Sequence, residues 1–240
     1  MMSDKNDSRR VLITGASRGL GLEFTRQWLA QGAQVFALAR KADAATELAG
    51  LGRDHREGLR IHDCDVASDG SVDEARRAVS GAWDRIDVLI NNAGIYGERS
   101  DTIEEIDFDT IRRVFETNAL GPMRVTRAFL PLLKKGRDPR IAHLSSLMGS
   151  IDDNGSGGSY AYRISKAALN MISKNLSHDL RSAGIISAVL HPGWVRTDMG
   201  GPQGRMSVEE SVGGLIRTLD SLAMKQSGGF FDYAGKPAPW

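Results

Sequence analysis

The sequence predicts an α/β fold, a single domain built on a doubly wound parallel sheet of about seven strands with helices on both faces. Three observations lead there. Short apolar runs alternate with helical patterns along the whole chain of 240 residues. The first apolar run opens into a glycine-rich turn, Thr14-Gly15-Ala16-Ser17-Arg18-Gly19-Leu20-Gly21, and a helical pattern follows it directly. Finally, the chain carries no internal repeat, no linker composition and no second domain. Residues 1–8 are polar and read as a disordered tail, leaving 9–240 as one domain.

The elements follow in order. Residues 10–13 read as the first strand, and 20–31 as a helix that ends at Gly32. Residues 34–39 are the second strand, 42–51 a helix with a polar exit through 53–58, and 59–63 the third strand. A helix over 71–83 precedes the fourth strand, 88–90, which runs into Asn91-Asn92-Ala93-Gly94. Residues 108–133 form one long helical pattern, which Gly121-Pro122 should bend or break because proline has no N–H for the ladder. Strand five is 140–144, and 149–158 is a loop by its glycine and serine content. Leu169, Ile172, Leu176 and Leu180 recur every three or four residues, so 167–180 and the residues just before it read as an amphipathic helix. Residues 185–190 are strand six and 208–222 the last helix, with a final short strand at 229–232. Between them, 192–205 is irregular and rich in Gly and Pro, and reads as a mobile lid.

Composition excludes several classes. With 31 basic and 30 acidic residues the net charge is +1, which gives no sign of nucleic-acid or membrane-surface binding. The one cysteine, Cys64, excludes an intramolecular disulfide and fits a reducing, cytoplasmic setting, with the thiol as inert packing. No apolar segment resembles a signal peptide or reaches membrane-spanning length. His55, His62, His143, His178 and His191 show no ligand spacing, so no metal is expected. No G-x-S-x-G elbow supports a hydrolase.

Chemistry concentrates in Ser159-Tyr160-Ala161-Tyr162-Arg163-Ile164-Ser165-Lys166. On a helix, Tyr162 and Lys166 lie one above the other, whereas Tyr160 points elsewhere. An ammonium beside the phenol would favour the phenolate and lower the tyrosine pKa, making Tyr162 a general acid/base. The glycines at 15, 19 and 21 let a backbone approach a pyrophosphate at a helix N-terminus. After strand two stand Arg40 and Lys41, with no carboxylate before Asp43, and Arg18 adds a cation in the turn. Arginine there suits a 2′-phosphate, so NADP is expected in preference to NAD.

Taken in order, the glycine turn, Asn91-Asn92-Ala93-Gly94, Asn118, Ser145-Ser146, Tyr162 with Lys166, and His191-Pro192-Gly193 resemble the classical short-chain dehydrogenases/reductases, which have a Rossmann-type fold. The resemblance runs from about residue 9 to the C-terminus. It implies a cofactor set of Gly15, Ser17, Arg18, Gly19, Leu20, Gly21 and Arg40, with Asp65 and Val66 at the adenine. It places Asn92, Ala93 and Gly94 along the ribose, Lys166 on the nicotinamide ribose, and Pro192, Gly193, Val195 and Thr197 near the carboxamide. Ser145 and Ser146 compete to fix the substrate oxygen, and the Ser-x-x-Gly arrangement selects Ser146. The interval from Ser146 to Tyr162 is a little longer than the family's, as if residues 152–158 were inserted. Asn118 is expected to hold a helix kink around a water that serves Lys166, and His191 to be structural.

The strings His143-Leu144-Ser145-Ser146-Leu147-Met148-Gly149, His191-Pro192-Gly193-Trp194-Val195-Arg196-Thr197-Asp198 and the ending Gly-Lys-Pro-Ala-Pro-Trp are similar to the C-factor/sniffer branch of carbonyl reductases. The implied activity is NADP-dependent interconversion of a small-molecule carbonyl and a secondary alcohol. A nucleotide-binding signalling protein with little turnover is one alternative. A sugar-nucleotide epimerase is another, and the chain's length argues against it. Segments 95–101, 148–158 and 194–204 are expected to wall the pocket, and the family implies a homodimer or homotetramer.

Overall fold

A computed structural model of the chain describes residues 8–42, 45–98 and 102–240. The expected disordered tail, apart from Ser8, lies outside the described residues, as do Asp43 and the 99–101 end of the expected pocket wall.

Seven strands form one parallel sheet in the order β3-β2-β1-β4-β5-β6-β7. They are β1 (Arg10–Thr14), β2 (Gln34–Ala39), β3 (Leu59–Asp63), β4 (Val88–Asn91), β5 (Arg140–Leu144), β6 (Ile186–His191) and β7 (Phe230–Asp232). Val11 is in register with Val35 of β2 on one side and Val88 of β4 on the other. The order reverses between β1 and β4, and the crevice at their C-terminal ends is where this architecture receives ligands.

Strand alternation splits the core into two layers. Val11, Ile13, Val88 and Ile90 point to one face and pack with Phe24, Trp28, Leu48, Leu215 and Leu219. Those partners belong to α1 (Gly19–Ala30), α2 (Thr46–Asp54) and α7 (Val208–Ser221). Leu12, Leu89 and Ile141 point to the other face, against Val72, Val79, Val125, Phe129 and Leu133. These come from α3 (Asp69–Ala82) and α5 (Gly121–Leu133). Both faces of the central strands are dry, so β1 and β4 read as continuous apolar runs instead of alternating ones.

Most boundaries fall within one or two residues of expectation, and three departures have local causes. The second helix starts at Thr46, not residue 42, and runs on to Asp54. At the expected start, Lys41 takes φ 53° and the Ala42 N–H is held by the Asp63 carboxylate at 2.6 Å. The long 108–133 pattern is two helices, α4 (Phe108–Phe115) and α5, joined by a π-helical turn at Glu116–Leu120. The break therefore precedes Gly121-Pro122. Pro122 gives no N–H, and the ladder widens in the turn before it. On α6 (Tyr160–Asp179) Leu169 is buried, but Ile172 and Leu176 are only half-buried. The face against the sheet carries Ser165, Lys166, Asn170, Ser173 and Ser177, small and polar groups that permit close approach. Among the described residues no helix is long and apolar enough to cross a membrane.

The opposite, N-terminal end of the sheet is tied by one buried carboxylate. Asp87 accepts hydrogen bonds from the Arg10 N–H (2.9 Å), the Arg137 N–H (2.7 Å) and Arg85 Nε (3.1 Å). It thus joins β1, β4 and the approach to β5, and Arg85 beside it is also buried. Asp87→Ala leaves that guanidinium uncompensated, so a loss of about 3–5 kcal/mol is expected. Urea unfolding should show it as a lower midpoint at unchanged m-value, while turnover per folded molecule stays near normal because the strand ends that carry the site lie at the far edge.

Candidate active site

The site is assembled from the C-terminal ends of β1, β4, β5 and β6. Leaving β1, the chain turns through Gly15 (φ 64°) and Gly19 (φ 54°), backbone that side chains disfavour. A Cβ on Gly21 would lie 2.2 Å from the Gly15 carbonyl oxygen and 2.5 Å from Asn92 Nδ2, so α1 presses against the turn that leads into it. At Gly19 the same test meets only the Thr197 side chain, at 3.6 Å, leaving room above the helix start. Helices α3, α4 and α7 are capped by the Ser68, Asp107 and Ser207 side chains, but α1, entered from Arg18, has no side-chain cap. Its first N–H groups and positive dipole end face the crevice, a fit for a pyrophosphate. Ser17, Gly19 and Leu20 line this turn, half-buried.

The end of β4 locks onto the turn. Asn92 Nδ2 donates to the carbonyls of Thr14 and Gly15, both at 3.0 Å, and Thr14 Oγ1 accepts from the Asn92 and Ala93 N–H groups at 3.1 Å. Gly94 lies where an added Cβ would be 3.3 Å from Asn118 Oδ1 and 3.6 Å from Lys166 Nζ. The buried Asn118, in the π turn, accepts from the Ile95 N–H (2.8 Å) and donates to the Ile95 carbonyl (2.8 Å) and Ser165 Oγ (3.0 Å). Ser165 in turn donates to the Tyr162 carbonyl at 2.8 Å.

Tyr162 and Lys166 are both buried on α6. Beyond β5, the one-turn helix at Leu147–Gly149 packs so closely on α6 that a Cβ on Gly149 would sit 2.7 Å from Lys166. That contact brings Ser146 near the phenol, whose pKa it acts to lower. The two serines have separate duties. Ser145 is buried and donates to Asn170 Oδ1 at 2.7 Å, a packing role, whereas Ser146 faces the site.

The electrostatics reverse one expectation. Lys166 does not lower the phenol. Burial pushes Tyr162 well above the usual tyrosine range, the neighbouring Tyr96 adds to the rise, and the nearby Ser146 hydroxyl only partly opposes it. The ammonium gives a hydrogen bond to the Leu144 carbonyl (2.8 Å) and stands 5.5 Å from the ring centroid instead of at the phenol oxygen. Burial lowers Lys166 itself to about 8. His143, fully buried, is pushed to about 3 by burial and by Lys166, and burial takes His191 to about 4, so both imidazoles are neutral fixtures. Burial raises the Cys64 thiol to about 12, which leaves it inert.

At the adenosine end, Asp65 caps its own turn by accepting from the Ala67 N–H (3.0 Å), and the buried Val66 packs against Gly121. Arg40 and Lys41 are exposed, and among the described residues Arg40 has no ion-pair partner. Arg18 is exposed too and pairs with Asp198 at 2.9 Å, an interaction worth at most about 1 kcal/mol that a phosphate can displace. Beyond β6, Pro192 and Gly193 are half-buried, and the Pro192 carbonyl accepts from Ser211 at 2.7 Å. Val195 is buried and bridges to Met206, and Thr197 lies over Gly19. The segment expected to be a lid is folded on itself: Trp194 Nε1 donates to the Gly200 carbonyl (2.7 Å) and the Trp194 carbonyl accepts from Arg205 (2.7 Å) and Met206 (3.1 Å). Trp194 is half-exposed, so it is no core residue.

Sequence reasoning missed Tyr96, whose ring stacks on Tyr162 with centroids 4.6 Å apart, and missed the lysine's hold on Leu144. The available signal was an aromatic two residues past Asn92-Ala93-Gly94, in a segment expected to wall the pocket. No cluster of three or more ligand-type residues occurs among the described residues.

Known proteins share this arrangement. Residues 9–207 match the family described as short chain dehydrogenase. The chain is 50% identical over 155 residues to C-signal of Myxococcus xanthus, covering 65% of this chain and 93% of that protein. An NADPH-bound carbonyl reductase from chicken fatty liver superposes with a TM-score of 0.91 at 38% identity, over 97% of this chain and 99% of that one. The carbonyl reductase Sniffer of D. melanogaster superposes with a TM-score of 0.92 at 35% identity, over 97% and 100% of the two chains. By sequence and by fold, the chain belongs to the short-chain dehydrogenase family and, within it, to the carbonyl-reductase branch.

Proposed function

We propose that the protein is an NADP-dependent reductase of small-molecule carbonyls, with Tyr162 delivering the proton to the carbonyl oxygen. The observation that carries the reading is the cluster of half-buried Ser146 with buried Tyr162 and Lys166, backed by Asn118, beside an uncapped helix start. The bound dinucleotide would supply the hydride. Gly15, Ser17, Gly19, Leu20 and Gly21 would seat its pyrophosphate, with Arg18 and Arg40 at a 2′-phosphate. Asp65 and Val66 would meet the adenine, and Asn92, Ala93, Gly94 and Lys166 the riboses. Pro192, Gly193, Val195 and Thr197 would lie at the carboxamide. Among neighbours, the NADPH-bound chicken reductase supports that cofactor choice.

Ser146 holds the substrate oxygen against the Tyr162 hydroxyl. A buried phenol with a raised pKa is protonated at neutral pH, which suits an acid and therefore the reductive direction. As the proton leaves, the nearby Lys166 ammonium stabilises the phenolate. Exposed apolar side chains on the outer helices, Phe108, Met123 and Met171, support a homodimer or homotetramer. The buried thiol fits a cytoplasmic setting. The identity to C-signal favours a second reading, a signalling protein. NADPH consumption with a panel of ketones, aldehydes and quinones separates the two, since a signalling protein without turnover consumes none.

Three outcomes test the reading. Tyr162→Phe should lose about 10²–10⁴-fold in turnover with little change in NADPH binding, while Tyr160→Phe, on another helix face, stays active. A dead Tyr160 variant, or a normal Tyr162 one, would sink the assignment. Arg40→Asp should weaken NADPH by about ten- to hundredfold and leave NADH unaffected or improved. A wild type that prefers NADH would contradict it. The third outcome concerns stability. Lys166 falls to about 8 in the fold from its ordinary 10.5, so the folded state binds fewer protons than the unfolded one between those values. Wild-type stability should therefore rise with pH across that window relative to Lys166→Met, and be flat below it. Urea unfolding at several pH values reads the difference.

A further inference from the structure

Tyr96 is absorbed by none of the roles above, yet it is the described aromatic in direct ring contact with the proposed proton donor. Its ring lies nearly parallel to that of Tyr162, at 22°, with centroids 4.6 Å apart. Its hydroxyl hydrogen-bonds Ser159 Oγ at 2.8 Å. Ser159 is the residue from which α6 begins, and a serine there ordinarily caps its helix. This one does not. It sits in the left-handed region (φ 49°, ψ 41°), makes no capping bond, and turns its hydroxyl to Tyr96 instead. A non-glycine residue held in that region has its conformation imposed by its surroundings.

The other end of Tyr96 is held as firmly. Asn118 clamps both the N–H and the carbonyl of Ile95, one residue before. One residue after, Gly97 (φ 82°) lies where an added Cβ would be 2.7 Å from Val114. Glu98 then accepts from Thr110 Oγ1 at 2.5 Å and pairs with Arg113 at 2.6 Å. A closed circuit results: Tyr96 to Ser159, along α6 to Tyr162, through Ser165 to Asn118, and back to Ile95.

We infer that Tyr96, braced by Ser159, is a positioning residue that fixes the Tyr162 ring in its proton-donating orientation. Among the described residues, the Tyr96 ring is the aromatic face stacked on that of Tyr162. Ser165 holds the Tyr162 backbone, and Lys166 stands 5.5 Å off. A swing of the ring about χ1 would carry the hydroxyl away from Ser146, and an aromatic face stacked flat against it opposes that swing. Misplacement on the order of 1 Å can cost about a hundredfold in rate.

The inference rests on Tyr162 being the proton donor, so the test runs Tyr162→Phe alongside. Activity is read as NADPH consumption on whichever carbonyl of the ketone, aldehyde and quinone panel the wild type reduces fastest. Tyr96→Leu should lower kcat by about 10- to 100-fold and raise the solvent isotope effect on kcat, as proton transfer becomes limiting. NADPH affinity by fluorescence titration and Tm should stay near wild type. Tyr96→Phe keeps the stack and should retain turnover within about threefold. Ser159→Ala should match Tyr96→Phe, and the double variant should be no worse than either, because one bond is lost in all three. This cycle decides the matter should Tyr96→Leu fail to fold. Normal kcat in Tyr96→Leu overturns the inference, as does a loss that follows Tm or NADPH affinity, equal damage in Tyr96→Phe, or simple additivity in the cycle. An active Tyr162→Phe removes the proton-donor reading itself, whereas a dead one beside a normal Tyr96→Leu removes only the stack.

Discussion

The carboxamide of Asn118 joins three segments of the chain at one buried point. Its oxygen and nitrogen take both backbone groups of Ile95, and the nitrogen also reaches Ser165 on α6. The side chain is completely buried, so each bond is made where water cannot replace it and losing one would strand a polar group. The π turn at Glu116–Leu120 puts the amide there by rotating the chain between two helices that would otherwise run as one. The segment after β4, the start of α5 and the middle of α6 are thereby held in one geometry, and the tyrosine and lysine inherit it.

Burial sets the electrostatics of that geometry. It raises the phenol and lowers the ammonium, so each group is driven toward its neutral form and neither is stabilised as an ion before reaction. Charge on the phenol develops only as its proton departs, next to a lysine already in place. Such an arrangement spends its attraction on the developing charge instead of the resting one. His143 beneath the site stays neutral and adds no competing charge.

Several local structural preferences are broken at the site. Helices α3, α4 and α7 have side-chain caps; α1 and α6, which border the crevice, have none, and neither do α2 and α5. Positive φ angles at Gly15 and Gly19 open the glycine turn, and the one at Ser159 frees a hydroxyl for Tyr96. Each departure leaves a donor or a ring aimed into the crevice. Functional sites are where local preference and global fold are expected to disagree.

The strands, the glycine turn and the pairing of Tyr162 with Lys166 were legible from the chain alone, because they depend on periodicity and short spacing. Apolar runs buried on both faces announce parallel strands, and an i, i+4 pair shares a helix face in any helix. The late start of α2 was not legible, since the Ala42 N–H is claimed by Asp63 from another strand. The choice of Ser146 over Ser145 rested on the family's Ser-x-x-Gly arrangement, whereas the contact that occupies Ser145 comes from Asn170 on α6. The sign of the tyrosine shift was misjudged for the same reason: spacing reports that a lysine is near, while desolvation depends on everything packed around the pair. Tyr96 meets Ser159 across 63 residues of sequence. Local pattern determined which groups the protein possesses, and only tertiary packing decided which of them touch, because contact and burial are properties of the closed fold.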